Sequence, residues 1–347
     1  MAEPEIRFRR EGAWGVITLD RPKALNALTL TMVTQMRERL TQWADDDGVQ
    51  AVLIEGAGEK AFCAGGDIRW MYDIAYENPA GPADFFRYEY ANNKAVFHFP
   101  KPYVALIDGI VMGGGVGVSV HGHFRVAGDR TLFAMPETAI GLIPDVGGGY
   151  FLPRLPRGLG FYYGLTGARA RAGDCLAVGI ATHYVPTDKI PALRAALLGM
   201  DLSDEGASGD AVAAMLDRHA VTTIDAPVTA LMEEIEEYFM GNETIEALMD
   251  GLAKGTSDFA HTTHETLLKM SPTSLKVTFE QLQRGATLDF DAVMEMEYAL
   301  VSNCMAGHDF FEGVRALIID KDKAPKWSPP TLAGVSREDV LGYFELI

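Results

Sequence analysis

Two glycine-rich segments contain the residues with the clearest chemical use. The first spans residues 61–67 (AFCAGGD), and the second spans residues 112–115 (MGGG). Because glycine has no Cβ, each segment can bring backbone N–H groups close to a ligand. Two such donors directed at one point form an oxyanion hole, which stabilises negative charge on a carbonyl oxygen. We assign these two donors to Gly66 and Gly114.

Two carboxylates follow the second glycine segment. Glu137 comes after a proline, and a glutamate desolvated by apolar neighbours has a raised pKa that suits a general acid or base. Those neighbours are Phe133, Met135, Ile140, Leu142 and Ile143. Asp145 lies between Pro144 and the glycines at 147–149, where an aspartate also suits a turn. An oxyanion hole followed by two acids indicates chemistry on an acyl group.

Each of these residues also has a purely structural interpretation. A single glycine triplet more often permits tight packing of a strand on a helix, and most glutamates are ordinary surface residues. Two glycine segments after two successive strands, with acids downstream, favour the oxyanion hole. Asp67 suits the N-cap of the following helix, and Cys63 suits a small apolar filler. We expect no metal site, and we find no phosphate-binding or dinucleotide-binding fingerprint.

Composition limits the classes of partner. The 347 residues are 48% hydrophobic, and 48 acidic against 30 basic residues give a net charge of −18. So acidic a chain is not expected to bind nucleic acid or anionic membranes, although a few local cations can still hold a phosphate group. Three widely spaced cysteines and a chain that begins with acids rather than an apolar run predict a cytoplasmic protein.

Strand and helix signals alternate in the first half of the chain, which predicts an α/β layer architecture. Strand-like runs occupy residues 14–20, 51–54, 103–107, 124–127 and 131–134. The apolar stretch 104–120 contains an aspartate and many glycines, so we interpret it as a strand and a packed helix rather than a membrane span. Residues 201–210 are polar and predict a linker or surface loop, after which most signals are helical.

These motifs resemble the crotonase (enoyl-CoA hydratase/isomerase) superfamily and, within it, the group of 3-hydroxyisobutyryl-CoA hydrolases. The superfamily match lies in residues 21–27 (RPKALNA), 64–68 (AGGDI) and 113–115 (GGG). The hydrolase match is longer and lies in residues 112–126 (MGGGVGVSVHGHFRV), 133–155 (FAMPETAIGLIPDVGGGYFLPRL), 270–276 (MSPTSLK), 296–298 (MEY), 307–310 (GHDF), 312–316 (EGVRA) and 320–322 (DKD). The resemblance therefore spans nearly the whole chain.

The resemblance implies a fold and a substrate. It implies an α/β core of ββα units wound as a spiral, with a helical C-terminal region. We accordingly assign residues 1–200 to a core that contains an acyl-CoA site and residues 211–347 to a mainly helical region. No cofactor is expected, because coenzyme A is part of the substrate. The expected partners are the acyl-CoA substrate and further copies of the chain in a homo-oligomer.

The resemblance also assigns roles to individual residues. It places the oxyanion donors at Gly66 and Gly114 and the catalytic acids at Glu137 and Asp145. Glu89 matches a further substrate-contacting glutamate of the hydrolases. Four more residues fall where relatives hold the nucleotide and phosphates of coenzyme A. They are Lys23, Ala24, Leu25 and Arg69.

One departure from the superfamily pattern favours hydrolysis. Hydratases place a glutamate two residues after the glycine triplet, and this chain has Gly117 there. The resemblance then implies hydrolysis of a short 3-hydroxyacyl-CoA, 3-hydroxyisobutyryl-CoA to 3-hydroxyisobutyrate and CoA, as in valine breakdown. Glu137 would either activate water or attack the carbonyl to form an anhydride, and the sequence leaves both routes open. The alternatives are a hydratase, isomerase or decarboxylase, or a non-catalytic acyl-CoA-binding protein.

Overall fold

The computed structural model describes residues 4–78, 81–202 and 208–346. The chain forms two compact units, each assembled from three stretches of sequence. Unit 1 comprises Met1–Gly66, Ala91–Phe133 and Ala170–Pro227, and unit 2 comprises Asp67–Tyr90, Ala134–Arg169 and Val228–Ile347. The predicted division consists instead of two continuous segments, residues 1–200 and 211–347, and it stays a prediction.

The strands and helices alternate through the first 200 residues. The strands are β1 Ile6–Glu11, β2 Trp14–Leu19, β3 Ala51–Gly56, β4 Ala61–Cys63, β5 Tyr103–Leu106, β6 Ile110–Met112, β7 Phe124–Ala127, β8 Leu132–Ala134, β9 Ala170–Arg171 and β10 His183–Tyr184. The first nine helices are α1 Leu30–Asp45, α2 Ile68–Glu77, α3 Gly81–Phe97, α4 Gly114–Gly117, α5 Gly148–Phe151, α6 Leu159–Thr166, α7 Ala172–Val178, α8 Ile190–Leu198 and α9 Ser208–His219. The remaining helices are α10 Met232–Phe239, α11 Ile245–Lys254, α12 Asp258–Leu267, α13 Pro272–Gly285, α14 Phe290–Ala306, α15 Asp309–Val314 and α16 Arg337–Gly342.

Two sheets organise unit 1. The six-stranded sheet has the order β1-β2-β3-β5-β7-β10, and the four-stranded sheet has the order β4-β6-β8-β9. Strands β3, β5 and β7 pair in parallel in the first sheet, while the strand that follows each of them along the chain joins the second. This repeated strand–strand–helix order confirms the predicted α/β fold of ββα units.

One face of the six-stranded sheet is buried against α8 and α9. Because side chains of a strand alternate between faces, Trp14 and Val16 of β2 point to the same side. They join a hydrophobic cluster with Leu193 and Leu197 of α8 and with residues of α9. The i, i+4 spacing of the two leucines puts both on one face of their helix. The buried face fixes the sheet, and the sheet in turn fixes the loops that leave its strands.

Unit 2 is mainly helical, and its helix ends carry the caps predicted from sequence. Asp67 accepts a hydrogen bond from the Trp70 amide at 3.2 Å and begins α2. Ser271 accepts from the Ser274 amide at 3.0 Å and begins α13, with Pro272 as the first helical residue. Such caps satisfy N–H groups that have no acceptor inside the helix. The described part of residues 211–347 contains helices and no strand, which confirms the predicted helical C-terminal region.

Two sequence predictions differ in detail from the structure. Helix α4, the helix predicted within the stretch 104–120, ends at Gly117, because a Gly-Gly-Val-Gly sequence has low helix propensity. The loop predicted over residues 201–210 gives way to α9 at Ser208, and residues 203–207 lie outside the described residues. Within the described ranges, no helix has the length and apolar character needed to cross a membrane.

Candidate active site

The two glycine segments pack against each other within unit 1. Strands β4 and β6 pair in parallel, so the segments that follow them leave the same edge of the sheet. A Cβ placed on Gly65 would lie 3.4 Å from the Met112 carbonyl oxygen and 3.7 Å from the Gly114 nitrogen. A Cβ on Gly115 would lie 2.2 Å from the carbonyl oxygen of Cys63, which is a severe overlap. The structure therefore brings together the two segments that the sequence singled out.

The backbone conformation of these segments requires glycine. Gly65 has a φ of +116° and Gly113 a φ of +47°, values that other residues rarely adopt. Gly114 is the first residue of α4, so its N–H group has no acceptor within its own helix. A helix of four residues adds only a small dipole to that donor. The oxyanion role of Gly66 and Gly114 stays a prediction.

Asn26 fixes the loop that carries three of the predicted coenzyme A contacts. Its buried side chain accepts a hydrogen bond from the Arg21 amide at 2.9 Å and donates to the carbonyl oxygens of Ala57 and Ala61, both at 2.9 Å. Leu25 and Asn26 have φ values of 53° and 56°, which are rare for residues other than glycine. Strained backbone of this kind often occurs at ligand-binding sites.

The predicted coenzyme A contacts divide between the units. In unit 1, Lys23 and Ala24 are exposed, and the Leu25 carbonyl oxygen accepts from the Ala64 amide at 3.0 Å. This hydrogen bond places the loop beside the first glycine segment. Arg69 belongs to unit 2, where its side chain is 64% exposed and forms an ion pair within α2. Contact of these four residues with coenzyme A stays a prediction.

Four of the buried carboxyl groups in unit 2 raise one another's pKa values. Their exposed fractions are 2% for Glu89, 5% for Glu137, 4% for Asp145 and 0% for Glu297. Glu89 lies on α3, Glu137 begins a 3-10 turn, Asp145 precedes α5, and Glu297 lies on α14. The buried residues of the described chain include no lysine, arginine or histidine. The acids are thus withdrawn from water without a buried cation to compensate them.

Burial and mutual repulsion raise the pKa values of these acids. Burial is the largest cause of the strongly raised pKa of Glu137 and of Glu89, and the charge of Asp145 is the second. Burial raises the pKa of Asp145 to about 7, although the Tyr90 hydroxyl opposes that rise. Because like charges shift a pKa strongly only at short range, the three predicted acids share one region of unit 2.

Two carboxylate oxygens in this region have no partner among the described residues. They are Oε1 of Glu89 and Oε2 of Glu137, and both are buried. A buried polar atom without a hydrogen bond is costly, so such atoms mark places where a ligand or water binds. Asp145 differs, because its Oδ2 accepts from the Tyr90 hydroxyl at 2.8 Å. A substrate can therefore gain hydrogen bonds from Glu89 and Glu137 without breaking existing ones.

The turn that carries Asp145 is strained. Val146 has a φ of 52° and Gly147 a φ of 86°. A β-branched residue in this region is an outlier that costs about 1–3 kcal/mol. The sequence predicted a turn here and treated Asp145 taken alone as structural. The structure shows both a turn and a buried acid beside Glu137.

Sequence reasoning missed two groups that surround the acids. Tyr90 follows Glu89 directly, but no pattern in the sequence links its hydroxyl to Asp145. Glu297 accepts hydrogen bonds from the Gly147 and Gly149 amides, each at 2.7 Å. It lies in the run 296–298 that carried the family resemblance, which was its only signal. Within the described residues, no group of three or more potential ligands is arranged to hold a metal ion.

Comparison with known proteins identifies relatives over nearly the full chain. The family model described as enoyl-CoA hydratase/isomerase matches residues 14–344. The chain is 50% identical to the 3-hydroxyisobutyryl-CoA hydrolase, mitochondrial, of Danio rerio, covering 98% of this chain and 89% of that protein. It is 51% identical to the protein of the same name from Xenopus laevis, covering 95% and 86%. A solved carnitinyl-CoA dehydratase from Mycobacterium thermoresistibile is 40% identical, with a TM-score of 0.91 over 99% of this chain and 97% of that one.

The names of these relatives contradict the predicted cytoplasmic location, because both hydrolases are named mitochondrial. The prediction was wrong because its signals were too general. The three cysteines are free and buried, which indicates only that the fold needs no disulfide. An apolar run near residue 1 is the feature that identifies secretory signal peptides. Mitochondrial targeting sequences are amphipathic and basic instead.

The family resemblance, in contrast, is confirmed at the levels of sequence and fold. The family model covers most of the chain, and the solved relative shares the architecture at 40% identity. The glycine segments adjoin in unit 1, and the acids cluster in unit 2. The chain belongs to the enoyl-CoA hydratase/isomerase family.

Proposed function

We propose that this protein hydrolyses the thioester of a short 3-hydroxyacyl-CoA, namely 3-hydroxyisobutyryl-CoA, to 3-hydroxyisobutyrate and CoA, a step of valine breakdown. The names of the two relatives at 50% and 51% identity support this substrate. One observation supports the reaction type. Asp145 lies close enough to Glu137 to raise its pKa, whereas residue 117, the hydratase position, is a glycine without a side chain.

The glycine amides are proposed to stabilise the developing charge. The thioester carbonyl oxygen accepts hydrogen bonds from the Gly66 and Gly114 N–H groups. Each donor of an oxyanion hole contributes roughly 2.7–4 kcal/mol to transition-state stabilisation. The tight packing of the two segments supports this role, because preorganised donors need no rearrangement during the reaction.

Glu137 is the proposed catalytic base or nucleophile. In one route it takes a proton from water, which then attacks the carbonyl carbon. In the other its own oxygen attacks, the thiolate leaves, and water hydrolyses the resulting anhydride. Burial raises the pKa of Glu137 and so makes its ionised form a stronger base. Asp145 orients the water or the substrate hydroxyl, or protonates the leaving thiolate, and Glu89 contacts the substrate through its unpaired oxygen.

Isotope labelling distinguishes the two routes. After a single turnover in water enriched in oxygen-18, mass spectrometry of the peptide that contains Glu137 reports whether its carboxylate gained the label. Label in Glu137 identifies the anhydride route. Label in the product acid alone, with none in the peptide, supports direct attack by water.

A thiol-release screen tests the reaction. The panel contains 3-hydroxyisobutyryl-CoA, shorter and unbranched 3-hydroxyacyl-CoA esters, acetyl-CoA and crotonyl-CoA, and enoyl absorbance is recorded in parallel. We expect release of free thiol, fastest from 3-hydroxyisobutyryl-CoA. Dehydration is the second candidate, since the solved relative is named a dehydratase, and a change in enoyl absorbance without thiol release would establish it. Thermal stabilisation by the esters with neither signal would identify a non-catalytic binding protein.

The remaining assignments are proposed with their own measurements. Lys23, Ala24, Leu25 and Arg69 contact coenzyme A, so Lys23→Ala and Arg69→Ala each raise KM about tenfold, which corresponds to about 1.4 kcal/mol. No cofactor is required beyond the coenzyme A of the substrate, so activity survives dialysis against a chelator. The protein acts as a homo-oligomer without nucleic-acid or membrane partners, and light scattering during size-exclusion chromatography measures its mass.

A further inference from the structure

Glu297 is a fully buried acid that the proposed reaction does not use. Its Oε2 accepts the Gly147 N–H at 2.7 Å, and its Oε1 accepts the Gly149 N–H at 2.7 Å. The Gln281 side-chain amide also donates to Oε1, at 3.2 Å. A hydrogen directed at each oxygen suits an ionised carboxylate, because a neutral carboxyl group must keep its own hydrogen on one of them. These donors favour the charged form and oppose the rise in pKa that burial causes.

These hydrogen bonds fix the turn that carries Asp145. The Gln281 amide donates to the Pro144 carbonyl oxygen at 2.7 Å, so the turn is fixed before Asp145 by Gln281 and after it by Glu297. Val146 is strained, and such a conformation persists only when its surroundings enforce it. Gln281 of α13 and Glu297 of α14 hold the turn in this conformation.

Packing alone does not account for an acid at this position. An ionised carboxylate buried without a cation is less favourable than an apolar side chain of similar volume. The charge of Asp145 further disfavours ionised Glu297, and burial together with that charge raises the pKa of Glu297 to about 8. The charge of Glu297 in turn contributes to the raised pKa of Glu137. A group that opposes folding and acts on two catalytic acids fits a functional role.

We propose that Glu297 is a positioning residue of the hydrolase, which fixes the turn 144–149 so that Asp145 keeps its hydrogen bond to Tyr90 and its place beside Glu137. Glu297 itself touches no substrate. This inference rests on the proposed thioester hydrolysis, because Asp145 and Glu137 have catalytic roles only there.

The test compares three variants. Glu297→Gln keeps the size of the side chain but turns one acceptor into a donor that faces a backbone N–H group. Gln281→Met removes the hydrogen bonds to the Pro144 carbonyl oxygen and to Oε1 of Glu297, and it keeps the carboxyl group of Glu297. Glu280→Gln is the matched control, because Glu280 is a buried acid next to Gln281 whose carboxylate contacts Arg284 and Arg337 rather than the turn.

Kinetics separate positioning from mere structural support. Displacement of a catalytic group by about 1 Å can cost about 100-fold in rate, so we expect kcat of Glu297→Gln to fall by about that factor. KM should stay within about threefold, because substrate binding is retained. The Glu280→Gln control should keep the kcat and the KM of the wild type. The melting temperature of Glu297→Gln should not fall below that of this control.

The pH profile gives a second readout. The titratable groups facing this region are Glu89, Tyr90, Glu137, Asp145, Glu297 and the buried thiol of Cys304. Because the pKa of Glu297 is about 8, its charge is present only towards alkaline pH. Glu297→Gln should therefore remove an inflection near pH 8 and leave the acidic limb of kcat/KM in place. Gln281→Met should lower kcat and keep that inflection, displaced to higher pH, because Gln281 donates a hydrogen bond that lowers the pKa of Glu297.

Hydrogen exchange tests the positioning without substrate. The Gly147 and Gly149 amides should exchange faster in Glu297→Gln than in the wild type or in Glu280→Gln. If the wild type releases no thiol from any ester, the proposed hydrolysis fails, and exchange still decides whether Glu297 fixes the turn. Unchanged exchange in folded Glu297→Gln would overturn the inference, and so would faster exchange with an unchanged kcat.

Discussion

Replacing Tyr90 with phenylalanine removes one hydroxyl group from the acid cluster, which consists of Glu89, Glu137, Asp145 and Glu297. That hydroxyl donates to Oδ2 of Asp145 at 2.8 Å, and both side chains are buried. The phenylalanine ring can keep the aromatic contacts of Tyr90, which pairs with Phe86 at 5.9 Å and with Tyr298 at 6.5 Å between ring centroids. The substitution therefore tests the hydrogen bond rather than the packing.

The expected effect is a higher pKa for Asp145. The Tyr90 hydroxyl stabilises ionised Asp145 and opposes the rise that burial causes, which leaves the pKa at about 7. A hydrogen bond to a charged group contributes about 1.5–3 kcal/mol, and one pKa unit corresponds to about 1.4 kcal/mol. Losing the bond should raise the pKa by about 1–2 units, so that at pH 7 the ionised fraction of Asp145 falls from about half to about 1–10%.

The pH dependence of kcat/KM, measured by thiol release, reports this change. The inflection that belongs to Asp145 should move upward by about 1–2 units in Tyr90→Phe. Tyr298→Phe is the matched control, because it removes a hydroxyl that contacts Arg87 instead of Asp145, and its inflection should stay in place. An unmoved inflection in Tyr90→Phe, with the control behaving as expected, would refute the argument that this hydroxyl sets the ionisation of Asp145.

Three further outcomes are expected. Glu137→Gln should abolish most thiol release while substrate affinity, measured by calorimetry, stays nearly unchanged, and unaltered turnover would exclude both proposed routes. Asp145→Asn should unfold at a higher temperature than the wild type at pH 8, with an advantage that shrinks towards pH 4. The reason is that the folded state raises the pKa of Asp145 to about 7, so the protonated side chain contributes to stability. This contribution is complete below the pKa that Asp145 has in the unfolded chain, and it is lost as pH rises through about 7. Gly115→Ala should destabilise the fold by at least about 1–3 kcal/mol in denaturant titrations, because its Cβ would overlap the Cys63 carbonyl oxygen, whereas Gly209→Ala meets no atom within 4 Å and should not.

Local sequence patterns predicted the parts of this site that local chemistry determines. Glycine is required where φ is positive, so the segments around Gly65 and Gly113 were recognisable before their packing was known. The raised pKa of Glu137 followed from the apolar residues around it in sequence. The N-cap at Asp67 likewise depends on residues within one turn and was predicted correctly.

Contacts between distant residues were not predictable in the same way. Tyr90 reaches Asp145 across 55 positions, and Glu297 reaches Gly147 across 150. No periodicity or spacing encodes such pairs, because they depend on how helices pack after they form. Asp145 illustrates the limit, since its Pro-Asp turn was visible in the sequence while its burial beside other acids was not.

The acid cluster opposes folding, and this opposition is itself an argument for function. Glu89, Glu137, Asp145 and Glu297 are buried together in unit 2, and the described buried residues include no basic side chain to pair with them. Each ionisation in such a place is costly, so burial keeps protons on carboxyl groups that would lose them in water. Apolar residues would fill the same volume with greater stability. Acids with raised pKa values are, however, what a reaction needs when protons move to and from water, substrate and a leaving thiolate at physiological pH.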